Sequence, residues 1–231
     1  MKFTRAVGGF GVVAPPVAAC AVLTGGWMTP GYDPFARTIS RLAEPGLPAA
    51  AIVELAISTV GVVLLALAVA MGPGSRGGRA LLAIAGLGLL AAAAIRLDPE
   101  SVRATTEHRL ATTVAMVALA GAPFAFASSL RGRRGSGVYG RISFAVGAAE
   151  LGVLVVGLAL LPTTFADWGA WERCFLALPT GWMVLLSARL LRARPIEPMF
   201  SSKAENASWA ASVSADDNMK VAAASQSSIG S

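Results

Sequence analysis

Charged residues in this chain of 231 residues fall almost wholly into the gaps between six apolar blocks. The blocks run between Arg5 and Asp33, Glu54 and Arg76, Arg79 and Arg96, Arg109 and Arg131, Arg141 and Asp167, and Arg173 and Arg189, and only Glu150 interrupts them. Each is long enough to cross a bilayer as a helix of about 20 residues. Hydrocarbon offers no partner for a free backbone amide or carbonyl, so a spanning segment must be a helix or a strand of a closed barrel. The ~10-residue alternating segments of a barrel are absent from the pattern, and the expectation is an all-α polytopic membrane protein with six transmembrane helices.

Only 14% of the residues are charged, against roughly 25% in a water-soluble domain. Spans and short loops consume residues 7–194, leaving no room for a nucleotide-binding fold. The sequence divides into a cytoplasmic N-terminus (1–6), the six-helix domain (7–194) and a tail (195–231) rich in Ser, Ala and Asn that reads as disordered and cytoplasmic. Asn206-Ala207-Ser208 in that tail matches a glycosylation acceptor but lies on the wrong side of the membrane.

The formal charge of +6 is dispersed over helix ends, which reads as orientation and not as nucleic-acid binding. Lys2, Arg5, Arg76, Arg79, Arg131, Arg133, Arg134, Arg141, Arg189, Arg192, Arg194, Lys203 and Lys220 fall on one side; Arg37, Arg41, Arg96, Arg103, Arg109 and Arg173 fall on the other. The richer side is cytoplasmic, which puts both termini inside and three loops, near 29–48, 97–108 and 163–173, outside. The expected location is the cell membrane, as a multi-pass protein. Val17-Ala18-Ala19-Cys20 looks like a lipoprotein cleavage box, yet the apolar run continues to Trp27, so the first helix is expected to be retained. Cys20 and Cys174 give no disulfide framework.

Pro15, Pro16, Pro123 and Pro179 lie inside spans and each removes a helix hydrogen bond, predicting kinks. Ser143 with Gly147, and Ala148 with Gly152, place small residues four apart on the fifth span, for close packing within the bundle or, alternatively, a dimer face.

The outer loops carry the unusual residues. In the first, Asp33 is placed to cap a helix starting at Pro34, with Phe35, Ile39 and Leu42 on one face and Arg37 and Arg41 on another. The expected product is a short amphipathic helix at the membrane surface, with Trp27 and Tyr32 as interfacial anchors. Asp98 before Pro99, and Asp167, read as further caps. Arg37, Arg96, Glu107, His108, Glu172 and Arg173 remain as candidates for one polar cluster where the outer helix ends meet. His108, the sole histidine, suits a structural hydrogen bond or acid-base chemistry; alone it makes no zinc site. Glu54 and Glu150 lie deeper, where an ionisable group implies proton carriage, ion binding or a buried pair, or else is protonated and hydrogen-bonds to a neighbouring helix.

Tyr32-Asp33-Pro34, then Ile39-Ser40-Arg41-Leu42 and Pro48, Arg96, Asp98 and His108 before the fourth helix, and Trp171-Glu172-Arg173 before the sixth resemble the domain of unknown function 998 family, prokaryotic six-helix membrane proteins. The resemblance covers residues 7–192. It departs at Ala43, where the family often has glycine, and at Glu54, where a neutral polar residue is the family pattern. It implies a shared outer-face site at Tyr32, Asp33, Ser40, Arg96, Asp98, His108, Glu172 and Arg173, and through distant eukaryotic relatives a loose link to lipids.

Three functions compete. The leading one is a non-enzymatic integral membrane protein with a packing, sensing or partner-binding role and a polar cluster on its outer face. The second is a membrane enzyme acting on lipid head groups, with His108 as acid or base and Arg96, Arg37 or Arg173 holding phosphate. The third is a solute or proton-coupled transporter using Glu54 and Glu150. The sequence carries no catalytic triad spacing, metal set or cofactor motif, and Gly72-Pro73-Gly74-Ser75-Arg76 reads as a tight turn with no nucleotide-binding lysine. The expected partners are the bilayer, a lipid ligand and a second copy of the chain, with no cofactor.

Overall fold

A computed structural model describes residues 2–71, 75–130 and 137–192. The proposed tail, the Gly72–Gly74 part of the glycine turn, and Arg131, Arg133 and Arg134 lie outside the described residues. Helices α1 (Lys2–Met28), α2 (Ala50–Ala70), α3 (Arg76–Ala94), α4 (Val102–Leu130), α5 (Gly137–Leu160) and α6 (Trp168–Arg192) occupy the six apolar blocks, and no strand occurs among the described residues. All six are long and apolar enough to cross a membrane. The all-helical expectation is met.

Each helix packs on its neighbour in sequence, and α1 closes the ring against α6. Lipid tails are as apolar as leucine, so association inside a bilayer depends on close packing more than on water exclusion. The chain meets this with small residues. Gly61 on α2 and Gly86 on α3 cross back to back, where a Cβ on Gly86 would meet the Gly61 carbonyl oxygen at 2.8 Å. On α5, Ser143 and Gly147 face inward: Ser143 Oγ accepts the Trp182 indole N–H at 2.9 Å, and Gly147 seats the Phe124 ring. Ala148 and Gly152 point outward. The central core joins Val7 and Ala14, Val63, Leu64 and Leu67, Leu82 and Ala85, Leu119 and Phe126, and Trp182 and Met183. Helices α1, α4 and α6 run continuously through their prolines.

The helices alternate in direction, so the connections 29–49, 95–101 and 161–167 lie together at one end of the ring. There the expected surface helix from Pro34 is not formed. Residues 34–37 make a tight turn instead, with Asp33 Oδ1 accepting the Phe35 N–H at 2.8 Å and the Ala36 N–H at 3.3 Å. A short 3-10 helix, Ile39–Ala43, follows. Pro34 and Phe35 belong to a different element from Ile39 and Leu42, and their faces part: Phe35 is 66% exposed whereas Leu42 is fully buried. Ile39, Leu42 and Ala43 pack with Ala49 and Val53 against Val22 and Leu176, plugging the ring between α1, α2 and α6.

Helix α4 begins earlier than the expected loop allows, at Val102, because Ser101 Oγ accepts the Ala104 N–H at 3.2 Å and caps it. Asp98 caps only the turn before it, through the Glu100 N–H at 2.9 Å. His108 therefore sits in the second turn of a helix, and Glu172 and Arg173 sit in the first turns of α6.

Candidate functional site

Arg173 ties the first connection to α6. Its Nη1 donates to the carbonyls of Pro34 at 2.6 Å, Gly169 at 3.0 Å and Arg37 at 3.2 Å, and its Nη2 donates to the Tyr32 hydroxyl at 2.6 Å. Tyr32 in turn donates to the carbonyls of Arg37 and Thr38. It thus latches the connection to α6, whereas Trp27 is 86% exposed. Burial pushes the Tyr32 phenol above its usual pKa, against the lowering effect of Arg173. The Ala170 N–H donates to the Phe35 carbonyl at 2.8 Å. Glu172, 5% exposed, accepts the Ile39 N–H.

This strapped segment roofs a cavity of about 850 Å³, within the usual range for a small-molecule site. Arg37, Ser40 and Arg41 line it from the loop, His108, Arg109, Thr112, Thr113 and Met116 from α4, Leu161 from the end of α5, and Trp168, Trp171 and Glu172 from α6. The cavity is wedge-shaped for a reason visible in the contacts. At the far end α4 and α5 touch through Phe124 on Phe144 and Leu130 near Gly140. At the near end α5 leans instead on α6, where the Trp171 indole N–H donates to the Val153 carbonyl at 2.8 Å and its ring lies against Gly157. Along α4, positions 109, 112, 113 and 116 form one helical face, which carries the lining roughly 20 Å from the start of the helix.

The lining has two characters. Arg37, Arg41 and Arg109 bring three guanidiniums, of which Arg41 pairs with Glu44 at 2.6 Å; no ion pair involves Arg37 or Arg109 among the described residues. Met116, Leu161, Trp168 and Trp171 supply an apolar wall, with Phe165, Trp168, Trp171 and Phe175 in successive ring contact. His108 is 3% exposed. Its Nδ1 lies 2.9 Å from the Ala92 carbonyl and 2.8 Å from that of Ile95, both at the end of α3. Two acceptors at one nitrogen place the hydrogen on Nδ1. Nε2 is buried without a partner among the described residues.

Of the candidates, Arg37, Ser40, His108 and Glu172 line one cavity, and Tyr32, Asp33 and Arg173 build its roof. Arg96 and Asp98 do not line it. Arg96 clamps Glu54, Nε to Oε1 at 2.5 Å and Nη2 to Oε2 at 2.9 Å, joining the ends of α3 and α2 in a pair whose arginine is half exposed. Glu107 is spent on Arg103 one turn away, at 2.7 Å. Arg41, Arg109, Thr112 and Thr113 escaped notice as site residues, although Arg109, Thr112, Thr113 and Met116 make a stripe of i, i+3, i+4 and i+7 in an otherwise apolar helix.

Glu150 stands apart on α5. It is fully buried and neither carboxyl oxygen has a hydrogen-bond partner among the described residues. Leaving a buried polar group unsatisfied costs about 1–3 kcal/mol, and a leucine of similar length removes that cost. Glu150→Leu is therefore expected to raise the thermal midpoint of the detergent-solubilised protein, corresponding to about 1–3 kcal/mol. A lower midpoint would mean that the carboxyl has a partner.

The fold and this site define a multi-pass membrane protein with an amphipathic cavity at the end of the bundle that carries the long connections. The chain belongs to the family described as Protein of unknown function (DUF998), whose model matches residues 12–189. No curated protein and no solved structure matches the chain.

Proposed function

We propose that this is a non-enzymatic membrane protein that binds an anionic amphiphile from the outer leaflet, its head at Arg37, Arg41 and Arg109 and its chain along Met116, Leu161, Trp168 and Trp171. The carrying observation is the pairing of three guanidiniums, two of them without an ion-pair partner among the described residues, with an apolar wall in one cavity. Guanidinium is the side chain best suited to phosphate, by charge and by its fork of donors. The excess of Lys and Arg at the opposite helix ends supports an outward-facing site, with both termini inside.

The chemistry of the lining favours binding over catalysis. His108 is oriented by two backbone carbonyls and has no carboxylate on its ring to stabilise an imidazolium. The Glu172 carboxylate is engaged by the Ile39 amide. Transport has less support, since Glu54 is paired with Arg96 and Glu150 is enclosed.

Native mass spectrometry of the purified chain titrated with dioleoyl phosphatidylglycerol and phosphatidylcholine tests this. The anionic lipid is expected to bind preferentially, and Arg37→Ala with Arg109→Ala to weaken it by about tenfold or more, the loss of roughly one charge-assisted bond. Soluble glycerophosphoglycerol should fail to compete, because it lacks the chain. Unchanged binding in the double variant would overturn the proposal, as would equal affinity for the two lipids.

A further inference from the structure

We infer that His108 selects, among anionic amphiphiles, those whose head group carries a hydroxyl close to the phosphate. This rests on the binding of an anionic amphiphile proposed above and adds the identity of the head group. The imidazole is held rigidly: turning it would strip the carbonyls of Ala92 and Ile95 of the Nδ1–H they share. With that hydrogen on Nδ1, the neutral ring presents a lone pair at Nε2.

Nε2 is buried, has no partner among the described residues, and belongs to a residue that lines the cavity. The group that completes it must be a hydrogen-bond donor.

Several other polar groups in the lining already hold a protein partner, whereas Nε2 holds none among the described residues. Glu172 Oε2 takes the Ile39 amide, and Glu44 Oε1 takes Arg41. The hydroxyls of Thr112 and Thr113 donate back to the carbonyls of His108 and Arg109 in their own helix. An ionised phosphodiester can only accept, so it satisfies Arg37 and Arg109 and gives Nε2 nothing. A glycerol terminus attached to that phosphate supplies the missing donor. An ammonium terminus supplies one as well, but brings a cation into a lining whose three guanidiniums outnumber its two carboxylates, Glu44 and Glu172.

Phosphatidylglycerol and phosphatidylmethanol with the same acyl chains carry the same charge and differ in the hydroxyls, so they isolate this contact. Native mass spectrometry of the full chain is expected to give about tenfold tighter binding of phosphatidylglycerol, the scale for satisfying one buried acceptor. In His108→Asn the side-chain amide can still donate to the α3 carbonyls, while nothing replaces Nε2. In this variant the preference for phosphatidylglycerol over phosphatidylmethanol should disappear. Equal binding of the two lipids by the wild-type chain, with both still weakened by Arg37→Ala and Arg109→Ala, overturns the inference and leaves anionic binding standing. Binding of either lipid that ignores the arginines overturns the underlying reading. Should His108→Asn fail to fold, the wild-type comparison of the two lipids decides alone.

Discussion

Gly169→Ala is expected to be the most damaging single-methyl change in the half of the bundle that carries the long connections. Gly169 is the second residue of α6, and a Cβ there would run into the carbonyl oxygens of Arg37 and Pro34. Both obstacles are backbone, and both are held in place by Arg173. A flexible side chain could swing aside, whereas this segment would have to lift off α6, breaking the Ala170 to Phe35 hydrogen bond and loosening the Glu172 contact to Ile39. Overpacking typically costs 1–3 kcal/mol and occasionally more, so a loss of ~3 kcal/mol is expected in the thermal midpoint. Gly152→Ala is the control. Nothing lies within 4 Å of a Cβ at that position, and alanine is the better helix former by about 1 kcal/mol. The control should hold or gain stability. Equal effects at the two positions would show that the loop does not rest on α6.

Arg173→Lys should also be costly, although it keeps the charge. The guanidinium spreads its donors over three carbonyls and the Tyr32 hydroxyl, from two nitrogens in fixed relation. An ammonium is a single point with three donors and cannot span that set. Hydrogen bonds to a charged group contribute about 1.5–3 kcal/mol each, so losing one or two of the four costs on the order of 3 kcal/mol. Limited proteolysis of the 29–49 connection, accompanied by the thermal midpoint, measures it, with faster cleavage expected in Arg173→Lys. For comparison, Glu54→Gln breaks a pair whose arginine is half exposed and should cost at most about 1 kcal/mol. An Arg173→Lys protein as stable as the wild type would assign the strap to the apolar plug alone.

The bundle was legible in the charge gaps because a bilayer imposes length and polarity on every span. The inward use of Ser143 and Gly147 was readable in part, since small residues four apart mark a contact without naming the partner, here Trp182 and Phe124. The outer site was half visible. Of the polar cluster read from the loops, Arg37, His108 and Glu172 line one cavity, which Ser40 of the resemblance's motif also lines, but Arg96 and Glu107 have ion-pair partners in Glu54 and Arg103. Charge pattern alone cannot separate a residue held for a ligand from one neutralised by a neighbour, because both are charges at a helix end. Asp33 before Pro34 matches a helix cap equally well as a turn, and the tertiary pull of Leu42 into the ring decides for the turn. Tyr32 has the profile of an interfacial anchor, and only the arrival of Arg173 from 141 residues away makes it a latch. Thr112 and Thr113 went unseen because threonine in a membrane helix ordinarily bonds its own backbone, which both also do.

An anionic amphiphile is proposed to occupy the wedge between α4 and α6. Photo-crosslinking in vesicles tests it most directly, using phosphatidylglycerol with a diazirine on its acyl chain and peptide mapping of the adducts. Labelling is expected at Met116, Leu161 and Trp171, and should be lost together with Arg37 and Arg109. Adducts confined to the outward-facing Leu110, Val117 and Val155, and indifferent to the arginines, would contradict it.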